Sequence, residues 1–201
     1  MSFERAIDAA MALLVERRSD AFTLAEVAER GGVSIGSIYG RVDSKDDLLR
    51  AAHAREMARI IEEQDKAFDA LHPVDGALEA TVARAVRTMA ELLRANAPVL
   101  APFMDMARHD RVIAETGKNA HAGMVEGFRS LLLASGDEIR HREPERAVTW
   151  SCTVVYSVIS RWLGLGDAGE AAAEGEWEDI LADLGEMITA FLRGSSTDSA
   201  R

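Results

Sequence analysis

Apolar residues recur at spacings of three and four along almost the whole chain, and this periodicity is the strongest constraint on the fold. The first such stripe comprises Ile7, Ala10, Met11 and Leu14. Residues at this spacing share one face of a helix with 3.6 residues per turn. Capping signals precede later stripes, because Thr23 stands three residues before Glu26 and Ser44 three residues before Asp47. With 34 alanines and only 4 prolines, the sequence predicts an all-α fold.

The capping and breaking signals divide this pattern into nine predicted helices. We expect them at about residues 3–18, 24–30, 35–40, 45–70, 76–96, 98–108, 111–134 and 144–163, and from about 177 onward. Asp75 is the predicted cap of the fifth helix, and Asn96 with Pro98 predicts a break after it. Gly117, Gly123 and Gly127 lie inside the seventh predicted helix. Each costs about 1 kcal/mol relative to alanine, so they indicate a close helix contact, a kink or a weak helix.

Several classes of protein are excluded at this stage. The longest uncharged stretch, from Ala147 to Ser160, has 14 residues, fewer than the roughly 20 that a membrane-spanning helix needs. Glu4 and Asp8 lie within the first helical stripe, unlike a secretory leader, so we expect a cytoplasmic protein without a membrane partner. Cys152 is the only cysteine, and we expect no disulfide, metal or cofactor. No nucleophile elbow, phosphate loop or dinucleotide motif is present, which argues against an enzyme.

The charge distribution limits how this chain could bind a polyanion. The net charge is −11, which opposes binding to nucleic acid by bulk charge. The first 50 residues carry seven basic and nine acidic groups, so their share of the excess is only −2. Any contact with nucleic acid must therefore be local, and the first 50 residues repel phosphates less than the rest of the chain does.

Residues 23–48 carry the most specific motif in the sequence. Gly31-Gly32 predicts a tight turn between two short helices, and Ser34 predicts the cap of the second. The motif comprises Thr23, Val27-Ala28, Gly32-Val33-Ser34, Gly36, Ile38-Tyr39, Val42, Ser44-Lys45 and Leu48. In these residues the segment resembles the helix-turn-helix of the TetR (tetracycline-repressor-like) family of bacterial transcriptional regulators. The resemblance covers about residues 3–50.

Within this motif, packing of Val27, Val33, Ile38 and Val42 leaves the other side of the short second helix facing outward. The start of such a helix is the part that enters a major groove. Small hydroxyl side chains can bind phosphates or base edges there, and Ile35 can contact a thymine methyl group. The predicted DNA-binding residues are Thr23, Ser34, Ile35, Gly36, Ser37, Tyr39, Arg41 and Lys45.

Two basic residues of this set have roles of their own. Lys45 lies at a helix start, where the helix dipole disfavours a cation, and a DNA phosphate would remove that conflict. Arg41 follows Gly40, where many family members have an aromatic residue before a His or Tyr. It can pair with guanine or hold a phosphate, and the sequence leaves both open.

The resemblance also implies a division of the chain into a DNA-binding head, residues 1–45, and a ligand-binding and dimerisation body, residues 46–194. The Ser-rich tail at 195–201 is predicted to be disordered. Candidate ligand-binding residues are Met89, Leu93, Phe103, Met104, Met124, Phe128, Trp150 and Tyr156. Ordinary core packing explains each of them equally well. Candidate dimer residues, on the last two apolar helices, are Val155, Ile159, Trp162, Leu181, Leu184 and Ile188.

By this resemblance the chain is expected to be a homodimeric transcriptional regulator that binds double-stranded DNA. Its expected mode is repression, with release from a palindromic operator when a small-molecule effector binds the body. Two alternatives stay open: a TetR-like activator, and a helical ligand-binding or adaptor protein with a vestigial head. The net charge of −2 over the first 50 residues favours the latter.

Overall fold

The computed structural model describes residues 2–74, 77–166 and 172–194. Within these ranges the regular structure is helical, with one short 3-10 turn at Gly136–Glu138. The α-helices are α1 (Ser2–Arg17), α2 (Leu24–Gly31), α3 (Ile35–Tyr39), α4 (Lys45–Asp69), α5 (Leu78–Met106), α6 (Arg111–Leu133), α7 (Pro144–Trp162) and α8 (Trp177–Arg193). The all-α prediction is confirmed. The predicted cap Asp75 and the predicted disordered tail at 195–201 lie outside the described residues.

The helices form two compact units, and the first contains residues up to 60 together with 96–120. Its core lies among α1, α2 and α3, where Leu14, Val27 and Ile38 are almost fully buried. Leu48 and Leu49 of α4 and Phe103 of α5 belong to the same apolar cluster. This unit is larger than the head of residues 1–45 expected from the sequence, because parts of α4, α5 and α6 complete its core.

Helix α5 differs from the prediction, since it continues through Pro98 and Pro102 where the sequence indicated a break at residue 96 and a separate helix at 98–108. A proline inside a helix removes a backbone hydrogen bond and crowds the preceding turn. Tertiary burial outweighs that cost here. Asn96 is buried rather than capping a new helix, and its Oδ1 accepts a 2.7 Å hydrogen bond from Arg59. Phe103, two turns after Asn96, fills the core of the first unit.

The second unit contains residues 61–95 and the described residues from 121 onward. Within this unit, the start of α5 is held by Glu138 of the 3-10 turn. The Glu138 carboxylate accepts a 2.8 Å hydrogen bond from the backbone N–H of Leu78, the first residue of α5. The interior glycines of α6 have different explanations. A Cβ at Gly127 would lie 2.7 Å from the Phe68 ring, so this glycine permits a close helix contact. A Cβ at Gly117 would meet nothing within 4 Å, so packing within the described protein does not require that glycine.

A buried histidine links α4 to α5 inside the first unit. The His53 ring is 3% exposed and lies 4.6 Å from the Phe103 ring, centroid to centroid. Burial lowers the pKa of His53 from 6.5 to about 4, and the nearby Asp110 carboxylate opposes that shift. His53 is therefore neutral in the folded protein at pH 7 and stays neutral as the pH falls to 5.

This histidine should make stability depend on pH. Below about pH 6.5 the unfolded chain protonates His53 while the folded chain does not, so the free energy of unfolding decreases as the pH falls towards 4. Between pH 7 and pH 5 the expected loss from this group is about 2 kcal/mol. Urea unfolding at both pH values, at one protein concentration, measures it. The His53→Gln variant keeps all other titrating groups and should lose about 2 kcal/mol less than the wild type. Equal losses in the two proteins would contradict the assignment.

Candidate nucleic-acid interface

The turn between α2 and α3 is built by local backbone chemistry. Thr23 caps α2, with its Oγ1 accepting from the Glu26 N–H at 3.3 Å, while Glu26 Oε2 accepts from the Thr23 N–H at 2.8 Å. At the other end, Gly32 has φ +56°, the left-handed conformation that ends a helix and that side chains disfavour. Ser34 then caps α3 by accepting from the Ser37 N–H at 3.1 Å. The predicted helix-turn-helix is therefore present.

Gly31 has a separate role from the turn itself. A Cβ at this position would lie 3.0 Å from the backbone oxygen of Arg5 and 3.4 Å from the Cβ of Ala9, both on α1. The missing side chain lets the end of α2 lie directly against α1. This contact fixes where α3 begins, because only three residues separate the two short helices.

One side of α3 is inside the protein and the other is outside. Ile38 is 1% exposed, whereas Ile35 is 43% and Tyr39 55% exposed. Ser34, Gly36 and Ser37 are exposed beside them. These large apolar side chains leave about half of their surface in water, so this face is suited to an external partner. Its residues coincide with the outward side predicted from the sequence.

Gly36 lies in the middle of this exposed face. A Cβ there would meet only the Ser34 hydroxyl oxygen at 4.0 Å, so internal packing does not demand a glycine. Glycine inside a helix is nonetheless unfavourable by roughly 0.5–1 kcal/mol relative to alanine. A surface that another molecule must approach closely explains the choice, and a DNA major groove is such a surface.

The basic residues around this face differ in whether another residue of the protein already binds them. Arg41 is exposed and forms no ion pair with any residue that the structure describes. Lys45 Nζ, by contrast, donates to the Asp20 backbone oxygen at 2.6 Å and lies 3.1 Å from its carboxylate. It also lies 5.4 Å from the centre of the Phe22 ring. The sequence suggested a DNA phosphate as the anion that stabilises Lys45 at its helix start. In the structure Asp20 is that anion, and a DNA phosphate would have to compete with it.

The cap residues of this region are also engaged internally. The Thr23 hydroxyl donates to Glu26 Oε2 at 2.9 Å, so its proton is already used. Hydrogen bonds from Arg17, then from the Thr23 backbone and hydroxyl, lower the pKa of Glu26 to about 2. At the start of α4, Ser44 and Asp47 form the predicted cap, with the Asp47 N–H 3.1 Å from the Ser44 oxygen. The hydrogen bond from Ser44 and the neighbouring Arg50 lower the pKa of Asp47.

Comparison with known proteins identifies this arrangement. The sequence model described as bacterial regulatory proteins of the tetR family matches residues 6–52, which include α2, α3 and the start of α4. This segment belongs to the tetR family of bacterial regulatory proteins. No protein of curated function matches it in sequence.

Solved TetR-like structures share the fold over nearly the full chain. The fatty acid degradation regulator FadR from Bacillus halodurans is 15% identical with a TM-score of 0.63, covering 95% of this chain and 96% of that one. FadR from Bacillus subtilis, in complex with stearoyl-CoA, is 16% identical with a TM-score of 0.62, covering 96% and 98%. SCO3833, a TetR-family member from Streptomyces coelicolor, is 20% identical with a TM-score of 0.54, covering 94% and 90%. At these identities the likeness is one of fold.

The ligand-binding residues expected from the sequence are divided between the two units. Phe103 and Met104 belong to the first unit, where Phe103 is part of the apolar core. The other six belong to the second unit. Met89, Leu93, Met124 and Phe128 are buried there, and Tyr156 lies edge-on to His121 with ring centres 4.5 Å apart. Trp150 is 59% exposed. Helical periodicity marked apolar positions correctly but not which unit or surface each belongs to.

Most of the expected dimer residues are covered by their own chain. Val155, Ile159, Leu181, Leu184 and Ile188 are buried within one protomer, and Trp162 lies against Trp177 with ring centres 4.7 Å apart. Side chains covered by their own chain leave little area for a second copy. The exposed apolar side chains of the same two helices are Trp150 and Val158 on α7 and Met187 and Phe191 on α8.

Two further groups were not anticipated from the sequence. Arg50 of α4 lies 2.7 Å from the Asp110 carboxylate, which also accepts from the Val112 and Ile113 N–H groups at the start of α6. The partners are 60 residues apart, so no local pattern reveals the pair. The other group is a groove that contains Gln64, between α4 and α6.

Among the described residues no set of His, Cys, Asp and Glu could hold a metal ion, and no helix there could cross a membrane.

Gly36 allows a test that separates folding from DNA binding. Gly36→Ala should raise the free energy of unfolding by about 0.5 kcal/mol or more, because alanine favours the helix. It should also weaken binding to duplex DNA by about tenfold, comparable to losing one base contact. Urea unfolding and fluorescence anisotropy with a labelled duplex measure the two effects.

The matched control is Gly117→Ala in α6, where a Cβ is equally unobstructed. It should stabilise the chain without changing DNA affinity. If both variants bind DNA as the wild type does, the exposed face of α3 is not the DNA contact.

Proposed function

We propose that this chain is a homodimeric transcriptional repressor that binds a palindromic operator through α3 and is released by a small-molecule effector. The observation that carries the proposal is the exposed face of α3, with Ile35, Gly36 and Tyr39 outward while Ile38 is buried. A short helix presented in this way after a tight turn is the recognition element of helix-turn-helix proteins. Since the proposed partner is bacterial DNA, the proposed location is the cytoplasm.

Specific roles follow for the exposed side chains. Ser34, Ile35, Gly36 and Ser37 at the start of α3 would contact base edges, with Ile35 against a thymine methyl group. Tyr39 and Arg41 would contact the backbone or, for Arg41, a guanine. Thr23 and Lys45 would reach phosphates only by giving up part of their bonds to Glu26 and Asp20. We therefore expect Tyr39 and Arg41 to contribute more than Thr23 and Lys45.

The dimer is proposed to form through the exposed faces of α7 and α8. Trp150 and Val158 are eight residues apart, two helical turns on one face of α7, and Met187 and Phe191 are one turn apart on α8. Exposed apolar side chains grouped on neighbouring helices are typical of a subunit interface. A symmetric dimer would present two α3 helices to the two halves of a palindrome.

Effector release needs a connection between a ligand site and α3. Helix α4 begins within the motif, at Lys45, and Arg50 on it is held by Asp110 at the start of α6. A movement of either helix would break or re-form this charged hydrogen bond, giving two discrete arrangements. The B. subtilis FadR structure with stearoyl-CoA supports the proposal that a chain of this fold takes a ligand.

A ligand-binding or adaptor protein with a vestigial head is the second candidate, and the ion pairs of the first unit favour it. Arg17 pairs with Glu26, Arg30 with Glu16, and Lys45 with Asp20. Three basic side chains are thereby neutralised before any phosphate arrives. Such a protein would retain the fold without appreciable DNA affinity.

The salt dependence of DNA affinity separates these two candidates. For the repressor, the logarithm of the association constant should fall linearly with the logarithm of salt concentration, by about 0.9 per phosphate contact. Arg41→Ala should weaken binding about fivefold or more, and should reduce the slope by about 2 per dimer if each Arg41 holds one phosphate. If the variant instead loses its sequence preference at one base pair, and the salt slope is unchanged, Arg41 contacts a guanine.

The control is Lys118→Ala, which removes an exposed cation from α6 away from the motif. It should leave both affinity and slope unchanged. Binding too weak to measure even at low salt would favour the vestigial head.

The dimer has a test of its own. Replacing Val158 and Met187 together by Arg should give monomers in sedimentation velocity, because burying unpaired like charges at a symmetric interface is unfavourable. The control is Val112→Arg, since Val112 is 56% exposed on α6 and outside this face. It should leave the dimer intact. A stable dimer in the double variant would place the interface elsewhere.

A further inference from the structure

A groove in the second unit lies between the last turns of α4 and the second half of α6. It encloses about 500 Å³ and is bordered by Leu71, His72 and Pro73 after α4. Gln64 and Phe68 of α4 are four residues apart, as are Gly123 and Gly127 of α6, so each helix contributes one face. None of the ligand-binding residues expected from the sequence lines this groove.

The two glycines determine the shape of the groove. At Gly127 the Phe68 ring occupies the space of a side chain, since a Cβ would lie 2.7 Å from it. At Gly123 a Cβ would lie 3.8 Å from Gln64 Oε1, an ordinary contact distance. Packing therefore does not exclude a methyl group at Gly123, and the buried Gln64 oxygen lies directly beside the space that a side chain there would fill.

Gln64 is the polar group inside this groove. Its side chain is 4% exposed, and its Oε1 has no hydrogen-bond partner among the residues that the structure describes. Buried carbonyl oxygens are almost always paired, because leaving one unpaired costs the full loss of its hydration. The oxygen faces the Gly123 side of the groove, so a bound molecule with a hydrogen-bond donor would satisfy it.

The charges at the rim favour a positively charged donor. Asp65 and Asp69 line the groove and form no ion pair with any residue that the structure describes. The third carboxylate, Glu126, lies 3.9 Å from the Arg129 guanidinium and accepts from the Ser130 hydroxyl at 3.1 Å.

No Lys or Arg is among the described residues that line the groove. The nearby Arg84 donates to the His72 backbone oxygen at 3.3 Å without lining it. The surplus charge inside the groove is therefore negative.

The remaining surface is apolar. Phe68 and Leu131 are buried side chains that form walls of the groove, and Leu71 and Pro73 are partly exposed beside them. A bare metal ion would leave these walls unused. A molecule with a hydrocarbon or aromatic body and one cationic end would match both parts of the surface.

We propose that this groove binds a small organic cation. Its ammonium or guanidinium group donates to Gln64 Oε1 between Asp65 and Asp69, and its apolar body lies against Phe68 and Leu131. The site stands apart from the proposed DNA contact, and its occupancy can be measured without DNA.

The test uses three probes with the same body: 4-phenylbutylamine, which is an ammonium ion at pH 7, 4-phenylbutanol, and 4-phenylbutyrate. Calorimetric titration of the full chain should show that the amine binds at least about tenfold more tightly than the alcohol, because a charge-assisted hydrogen bond is stronger than a neutral one. The carboxylate should not bind measurably. Equal affinity for all three, or no binding of the amine, would overturn the proposal.

Variants assign the binding to this groove. Gln64→Met keeps the side-chain length but removes the acceptor, and should weaken amine binding about tenfold. Asp65→Asn with Asp69→Asn should weaken amine binding about fivefold or more while leaving alcohol binding unchanged. Gly123→Leu should fill the groove and abolish binding of both.

Two controls address fold and bulk charge. Gly117→Leu places the same side chain elsewhere on α6 and should leave binding intact. Asp179→Asn with Asp183→Asn removes the same charge from α8 and should change amine affinity by less than about twofold. If this pair weakens binding as much as the Asp65 and Asp69 pair does, the attraction is to overall charge and the proposal fails.

Discussion

Burial of Ile38 is the interaction on which the rest of the structure depends. Helix α3 has five residues, too few to be stable alone, and Ile38 is its only residue held in the core. Fixing that one side chain fixes the rotation of the helix, and therefore which residues face outward. Gly31 and Gly32 make the burial possible, the first by close contact with α1 and the second by its left-handed backbone. In the proposed function, the face of α3 opposite Ile38 is the one that contacts DNA.

Electrostatics shape how such a chain could bind a polyanion. Acidic residues outnumber basic ones, and several arginines near the motif already have carboxylate partners. Attraction to any duplex should accordingly be weak, so affinity would depend on the fit of α3 to a particular sequence. The same surplus of carboxylates takes another form in the second unit, where Asp65 and Asp69 form no ion pair within the described part of the chain and lie beside a buried amide. One chain thus offers a neutralised surface to an anion and an acidic groove to a cation.

Local sequence signals predicted much of this structure because the features they describe are themselves local. The caps at Thr23, Ser34 and Ser44 and the outward face of α3 each depend on residues within one or two turns. Signals failed where distant residues decide the outcome. The continuation of α5 through Pro98 depends on burial of Phe103 in a core made by other helices. The engagement of Lys45 depends on Asp20, 25 residues earlier.

The second unit illustrates a different limit of prediction from sequence. An apolar stripe indicates that a helix is covered but not by what, so Val155 and Ile188 were expected at a dimer interface and are instead buried in their own protomer. Trp150 and Met187, on the same two helices, are exposed instead. Gln64 carried no signal, since a glutamine among charged residues resembles a solvated position. Only the packing of α4 against α6 shows that its oxygen is buried and has no partner in the described ranges.

The central claim is that two copies of α3 read a symmetric DNA site. Selection of bound sequences from a random duplex library, using the purified full chain and then a refolded sample free of copurified ligand, tests it most directly. The account predicts an enriched palindrome whose half-sites lie about one helical turn apart, lost in a Gly36→Ala variant. No enrichment from either sample, with the protein folded and dimeric, would contradict it.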